Sequence, residues 1–239
     1  MPLLGRNLRL LSELNLMRYF SLHSITKVFT AELTFPRGHL PVLGALRGIA
    51  ILMVVFAHFT GNGKLLFGDP LPVNLGRYGV EIFFAISGYL MGGLLFCKKQ
   101  QLRVFYVRRF SRIFPALLLY LTVVWAYHFS LGAPFEALPF TSTWFFFTNY
   151  LLAVDITVLH RDFGHLWSLC IEEHSYMLLS IIAIITRRFW SKDLKIILFV
   201  AVLFMCMGVY YSVILKMDYR ESYWRTDARA ASIFLASFI

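Results

Sequence analysis

The amino-acid sequence predicts an all-α fold: a polytopic membrane helix bundle with about five full transmembrane helices, a short re-entrant or interfacial segment, and a partial last helix. Three observations predict it. Of the 239 residues, 59% are hydrophobic and 15% are charged, against about 25% charged in an average soluble domain. Apolar runs recur near the ~20 residues that a helix needs to cross a bilayer core. Basic residues gather between alternate runs rather than along one polar face. This composition excludes a disordered chain and a cytosolic domain. It also excludes a nucleic-acid partner despite the formal charge of +10, because the cations stand between apolar runs.

Residues 1–41 read as a basic, cytoplasmic N-terminal segment, with Arg6, Arg9, Arg18, Lys27 and Arg37 against Glu13 and Glu32. Their Leu and Phe content suits an interfacial amphipathic helix, a disordered leader being the alternative, and they contain no signal-peptide core. Residues 42–239 form the transmembrane domain. The first span, Val42–Gly61, holds Arg47 as its one formal charge, and the second, Val80–Cys97, holds Glu81. Ile113–Ala133 and Ile196–Leu215 hold none. Leu166–Thr186 is long enough to cross but contains Glu172, Glu173 and His174. Thr143–Val154 is uncharged but short, as a re-entrant or interfacial piece would be. Ala230–Ile239 opens the partial last helix. Cys97, Cys170 and Cys206 have no metal-ligand or redox spacing and read as free buried thiols.

The basic flanks set an expected orientation. Segments 1–47, 98–112 and 187–195 hold 16 basic and 3 acidic residues, whereas 61–77, 132–164 and 216–229 hold 7 of each. The first set is therefore expected in the cytoplasm, with the N-terminus, and the second outside. The expected location is the cell inner (plasma) membrane.

Ionisable groups inside the spans carry the functional signal, because each costs a few kcal/mol to keep in lipid. Arg47 and His58 are eleven residues apart, which leaves about 20° of offset, so they share one face about 16 Å apart along the helix axis. A snorkelling Arg47 and a hydrogen-bonded core His58 would explain them equally well. On the Leu166–Thr186 span and just before it, His165, Glu172 and Tyr176 share a face, with Glu173 about 100° round. Two adjacent carboxylates in lipid require a cation, a proton or a polar cavity, and His58 and Arg47 are the candidate partners. Gly88 and Gly92 make a small-xxx-small pattern for close helix packing, and Ser87 beside them reads as a packing or backbone-bonding hydroxyl. Arg108, Arg109 and Arg112 stand near one face where a cytoplasmic loop enters the third span. Anchoring alone accounts for them, but so does a phosphate clamp.

These pieces, in this order, resemble the membrane acyltransferase family 3, which includes O-antigen and exopolysaccharide O-acetyltransferases. Leu46-Arg47-Gly48 through His58 is similar to the family's Arg/Lys-x10-His helix. Gly79 to Leu90 is similar to its GVxLFFxLSGFL element, and Phe105 to Pro115 to its RRxxRIxP element. His165 to Glu173 is similar to its TWSLxxEEQFY element, and Thr226 to Ala230 more distantly to a TRxDA-like stretch. Two departures stand out: Gly44-Ala45 precedes Leu46 where the family often has Asp-Gly, and His174-Ser175 replaces Gln-Phe. The family's domain has about ten helices, so the resemblance implies a domain incomplete at its C-terminus.

The resemblance implies an enzyme that transfers an acyl group, usually acetyl, from acetyl-CoA as co-substrate to a carbohydrate hydroxyl, without a metal. On that reading His58, Arg47, Glu172 and Glu173 are the catalytic candidates, and Arg108, Arg109 and Arg112 would bind the CoA phosphates. His58 would act as general base, or as a transient acyl carrier. Arg47 would bind phosphate or stabilise charge at the thioester. Glu172 or Glu173 would orient His58, bind acceptor hydroxyls or neutralise Arg47. Two alternatives remain open at this point: a proton-coupled transporter or acyl-group exporter, which also suits intramembrane His, Glu and Arg, and an inactive fragment.

Overall fold

The computed structural model describes residues 41–69, 71, 74–132, 137–154, 161–189 and 195–239, all within the compact unit Phe35–Ile239. The basic segment expected over 1–41 lies outside these residues apart from Pro41. No strand occurs among the described residues. Five helical stretches are long and apolar enough to cross a membrane, and the chain is a multi-pass membrane protein on that basis. They are α1 (Pro41–Thr60), α2 (Leu75–Gly92, extended by a π turn to Cys97), α3 (Leu102–Ser130), α6 (Trp167–Phe189) and α7 (Lys195–Val209, extended by a π turn to Ile214). Between α3 and α6 lie the short α4 (Ala137–Trp144) and α5 (Thr148–Val154), and α8 (Ala231–Phe238) follows α7.

Three boundaries differ from the hydropathy reading, each for a local reason. α2 begins at Leu75, a full turn before Val80, where the Asn74 side chain accepts from the Arg77 backbone N–H and caps the helix. α3 begins at Leu102, so the arginine triplet is helical rather than looped; only residues 98–101 join it to α2. Phe105 explains this, since it is 4% exposed in the core and draws the charged turns into the bundle. The Thr143–Val154 piece is two helices, broken at Phe146, whose φ of 57° no α-helix accommodates.

Phe84 and Leu95 of α2, Phe105 of α3, Ile171 and Leu179 of α6, Ile197 of α7 and Phe234 of α8 form the main core. A second, smaller core joins Leu117, Leu121 and Val124 of α3 to Leu152 of α5 and to Phe163. The outward faces of α1, α3 and α7 carry exposed Leu, Ile, Val and Phe, as lipid-facing surfaces do. Cys206 lies on such a face and is exposed, which corrects its reading as buried, whereas Cys170 is buried; all three cysteines are free thiols.

Glycines fix how α2 meets its neighbours. A Cβ on Gly79 would stand 2.6 Å from the Ala50 carbonyl of α1, and one on Gly92 would stand 2.5 Å from the Ser237 carbonyl of α8. Gly88 is tighter still against the Ile233 backbone, and Ser237 Oγ donates to the Gly88 carbonyl at 2.9 Å. The small-xxx-small reading of Gly88 and Gly92 therefore describes a real backbone-to-backbone seat. Gly88→Ala should force the helices apart and cost about 1–3 kcal/mol. Gly48→Ala, where a Cβ meets nothing within 4 Å, should be neutral or stabilising. Thermal unfolding of the two variants in detergent checks the contrast.

Candidate active site

Helix geometry separates the arginine triplet. Arg108 and Arg112, four residues apart, face outward and are exposed. Arg109, about 100° round, turns into the bundle. Its Nε donates to Glu173 Oε1 at 2.7 Å, its Nη2 lies 2.7 Å from the same oxygen in the ion pair, and its guanidinium lies 3.5 Å from the centre of the Tyr176 ring. Glu172 Oε2 is 3.6 Å from Arg109 Nη2, beyond a hydrogen bond. Glu172 instead accepts from Ser87 Oγ of α2 through Oε1 at 2.9 Å, with both residues buried. The deep cluster is thus Ser87, Arg109, Glu172, Glu173 and Tyr176, drawn from α2, α3 and α6.

This corrects two expectations. The carboxylates are matched by Arg109 and Ser87, not by Arg47 or His58, and the serine beside Gly88 bonds a carboxylate rather than its own backbone. Arg109 is committed to these carboxylates, which leaves Arg108 and Arg112 as the exposed members of the proposed phosphate clamp. Sequence spacing could not reveal this, because the partners are 64 and 85 residues apart.

Arg47 and His58 lie outside this cluster. The Arg47 guanidinium sits 6.0 Å from the Phe83 ring of α2, its Nε is buried without a hydrogen-bond partner, and no ion pair to it is found among the described residues. His58 Nδ1 is 2.8 Å from the Val54 carbonyl of its own helix. A carbonyl only accepts, so Nδ1 carries the hydrogen, and in the neutral ring Nε2 keeps its lone pair. His58 also lies within electrostatic range of His165. Around His165, the Tyr120 ring stands edge-on at 5.2 Å, Tyr120 Oη donates to the Asp162 carbonyl at 2.6 Å, and the Asp162 carboxylate meets His128 Nε2 at 2.8 Å. Three of the histidines thus gather where α3 ends and the fourth span begins.

The family model for an acyltransferase domain matches residues 41–226 and so takes in both clusters. The chain belongs to this acyltransferase family. Two relatives show how far the likeness extends. The acyltransferase chain is 27% identical over 213 residues to "Peptidoglycan O-acetyltransferase OatA" of Listeria monocytogenes, covering 82% of this chain and 33% of that one. It is 28% identical over 213 residues to "Putative peptidoglycan O-acetyltransferase YrhL" of Bacillus subtilis, covering 82% of this chain and 32% of that one. It spans about a third of the length of these curated relatives. No solved structure matches it.

The matched acyltransferase region ends at Thr226, inside a polar strap between α7 and α8. Thr226 Oγ1 meets His174 Nδ1 at 2.8 Å and accepts from Asn149 Nδ2 at 3.0 Å. His174, one of the two departures from the family pattern, thereby ties α6 to the strap. Arg225 grips Asp227 with Nε at 3.1 Å and Nη2 at 2.9 Å, while Tyr211 Oη donates to the same carboxylate at 2.6 Å. Arg229 pairs with Glu81 of α2. The Thr226–Ala230 stretch hinted at this strap, but its partners on α2, α5 and α6 were invisible in one dimension.

Burial alone would raise the proton affinity of Asp227, but the Arg225 and Tyr211 hydrogen bonds outweigh it and hold the carboxyl below the usual range. A depressed carboxyl stabilises the fold above its unfolded value of about 3.9, and that contribution is lost as pH falls through the lower folded value. Asp227→Asn should therefore lower the thermal midpoint at neutral pH. The gap from the parent should close as the solution is acidified below the ordinary carboxylate range. Paired melting curves across pH test this.

Proposed function

We propose that this protein is an O-acetyltransferase of the inner membrane, taking acetyl from acetyl-CoA on the cytoplasmic side and placing it on a cell-envelope carbohydrate hydroxyl. The relatives' names point to peptidoglycan as the acceptor. The observation that carries the reading is the bond from His58 Nδ1 to the Val54 carbonyl, which leaves Nε2 as a proton acceptor inside an apolar span.

In this mechanism Nε2 takes the acceptor hydroxyl proton as the oxygen attacks the thioester carbonyl. The C–S bond breaks and the proton passes from Nε2 to the departing sulfur. Arg47, a guanidinium with no carboxylate partner among the described residues, stabilises the oxyanion or a CoA phosphate. Arg108 and Arg112 offer exposed guanidinium groups to the nucleotide phosphates. Of the three roles open to Glu172, binding an acceptor hydroxyl other than the one His58 deprotonates fits best, since its contacts run to Ser87, Arg109 and Tyr176 and not to His58 or Arg47.

The test is ester content of cell-wall glycan, measured by mass spectrometry in the native host with and without the gene, with isotope-labelled acetyl-CoA supplied to isolated membranes. Labelled acetyl esters that depend on the gene support the proposal. Equal ester content, with no label transferred, overturns it.

A further inference from the structure

Hydroxyls in these spans mostly turn back on their own helix. Thr60, Thr122, Ser130, Ser175, Thr186 and Ser212 each donate to a carbonyl three or four residues earlier. That bond is open to any helical serine. Ser87 departs from the pattern and gives its proton to Glu172 on another helix, at a site where Ser87 is 3% and Glu172 7% exposed. A carboxylate is the stronger acceptor, and at this depth the bond is little screened.

The consequence is a division of labour within the glutamate pair. Glu173 accepts from Arg109 Nε and pairs with its Nη2 at 2.7 Å. Glu172 has one oxygen fixed by Ser87 and the other 3.6 Å from Arg109, short of a hydrogen bond. The Tyr176 hydroxyl also bonds this carboxylate, and of the carboxylate's roughly four lone-pair sites those left over can take another donor, which an acceptor alcohol supplies. We infer that Ser87 is a positioning residue, which holds the Glu172 carboxylate in place to receive a non-reacting hydroxyl of the carbohydrate acceptor. This rests on the acyl-transfer reading above.

The experiment compares Ser87→Ala, Ser87→Cys and Ser175→Ala, each expressed from the native gene locus and assayed in isolated membranes with acetyl-CoA and envelope glycan. Ser175 is the control, being 1% exposed and bonded to the Ile171 carbonyl of its own helix. Ser87→Ala should slow transfer about 10- to 100-fold, the range for one hydrogen bond to a charged group. It should raise the half-saturating glycan concentration and leave that for acetyl-CoA unchanged. Ser87→Cys, which keeps the size and a weaker donor, should recover part of the rate. Ser175→Ala should keep the parent kinetics.

Parent-like kinetics in Ser87→Ala overturn the assignment. So does a loss matched by Ser175→Ala and by a lower thermal midpoint, or one that acts on acetyl-CoA instead of glycan. A parent protein that transfers no acetyl at all overturns the functional reading itself, which separates the two failures.

Discussion

Arg109→Gln should remove about 3–5 kcal/mol of stability, the cost of stranding a buried carboxylate by deleting its partner. A folded domain holds about 5–15 kcal/mol in total, so most copies should fail to accumulate in the membrane. The size of the effect follows from the geometry. Arg109 and Glu173 are mostly buried, their bonds are 2.7 Å long, and the guanidinium also stacks on a Tyr176 ring with 1% exposure. Arg109→Lys should restore little, since an ammonium lacks the planar fork that meets one carboxylate and lies flat on a ring. Arg109→Gln combined with Glu173→Gln should recover part of the loss, because one stranded charge leaves with its partner while Glu172 stays buried beside the site. The amount of membrane-inserted protein and its thermal midpoint in detergent decide the matter. A double variant no better than the single one would refute this account.

His58→Ala should have the opposite profile, with a normal fold and little or no transfer. A general base contributes about 10²- to 10⁴-fold to a rate, and its loss should bring glycan acetylation near background. The fold should survive because His58 is exposed and its Nδ1 bonds within its own helix, to the Val54 carbonyl. His58→Gln should be equally inactive: its amide can donate to that carbonyl but cannot carry a proton to the leaving sulfur. Arg47→Ala should lose transfer by a different route, with a raised half-saturating acetyl-CoA concentration if it grips phosphate, or a lowered turnover if it steadies the oxyanion. Acetylation of glycan at the parent rate by well-inserted His58→Ala protein would remove this histidine from the chemistry.

The five spans were legible because bilayer thickness imposes a length and lipid imposes a composition, and both are written along the chain. Gly88 and Gly92 were legible for a similar reason, since a repeat of four marks one helix face. The alignment of Glu172 with Tyr176 followed from the same arithmetic. What escaped was every contact between helices. The spacing of Arg108, Arg109 and Arg112 suggested one face, yet one of the three turned inward, because Glu173 on another helix outbids solvent and lipid phosphate for it. Ser87 looked like packing because its carboxylate partner lies 85 residues away. The start of α2 was hidden by Arg77, which lowers the local hydropathy ahead of a span that already holds Glu81. Their charges are instead accommodated by the strap, where Arg229 pairs with Glu81 and Arg77 lies 5.3 Å from the Tyr223 ring.

The seat of α8 on α2 has a bearing on biogenesis. The Gly79 side of α2 can dock on α1 as soon as that hairpin leaves the ribosome. The other side must wait for Ser237, which is 149 residues downstream of Gly88. At ~5–20 residues per second that interval is on the order of ten seconds. Throughout it a notched, backbone-baring stripe lies open to lipid or to an insertion chaperone, so a stalled translation product ending before residue 231 should be the form that quality-control proteases capture.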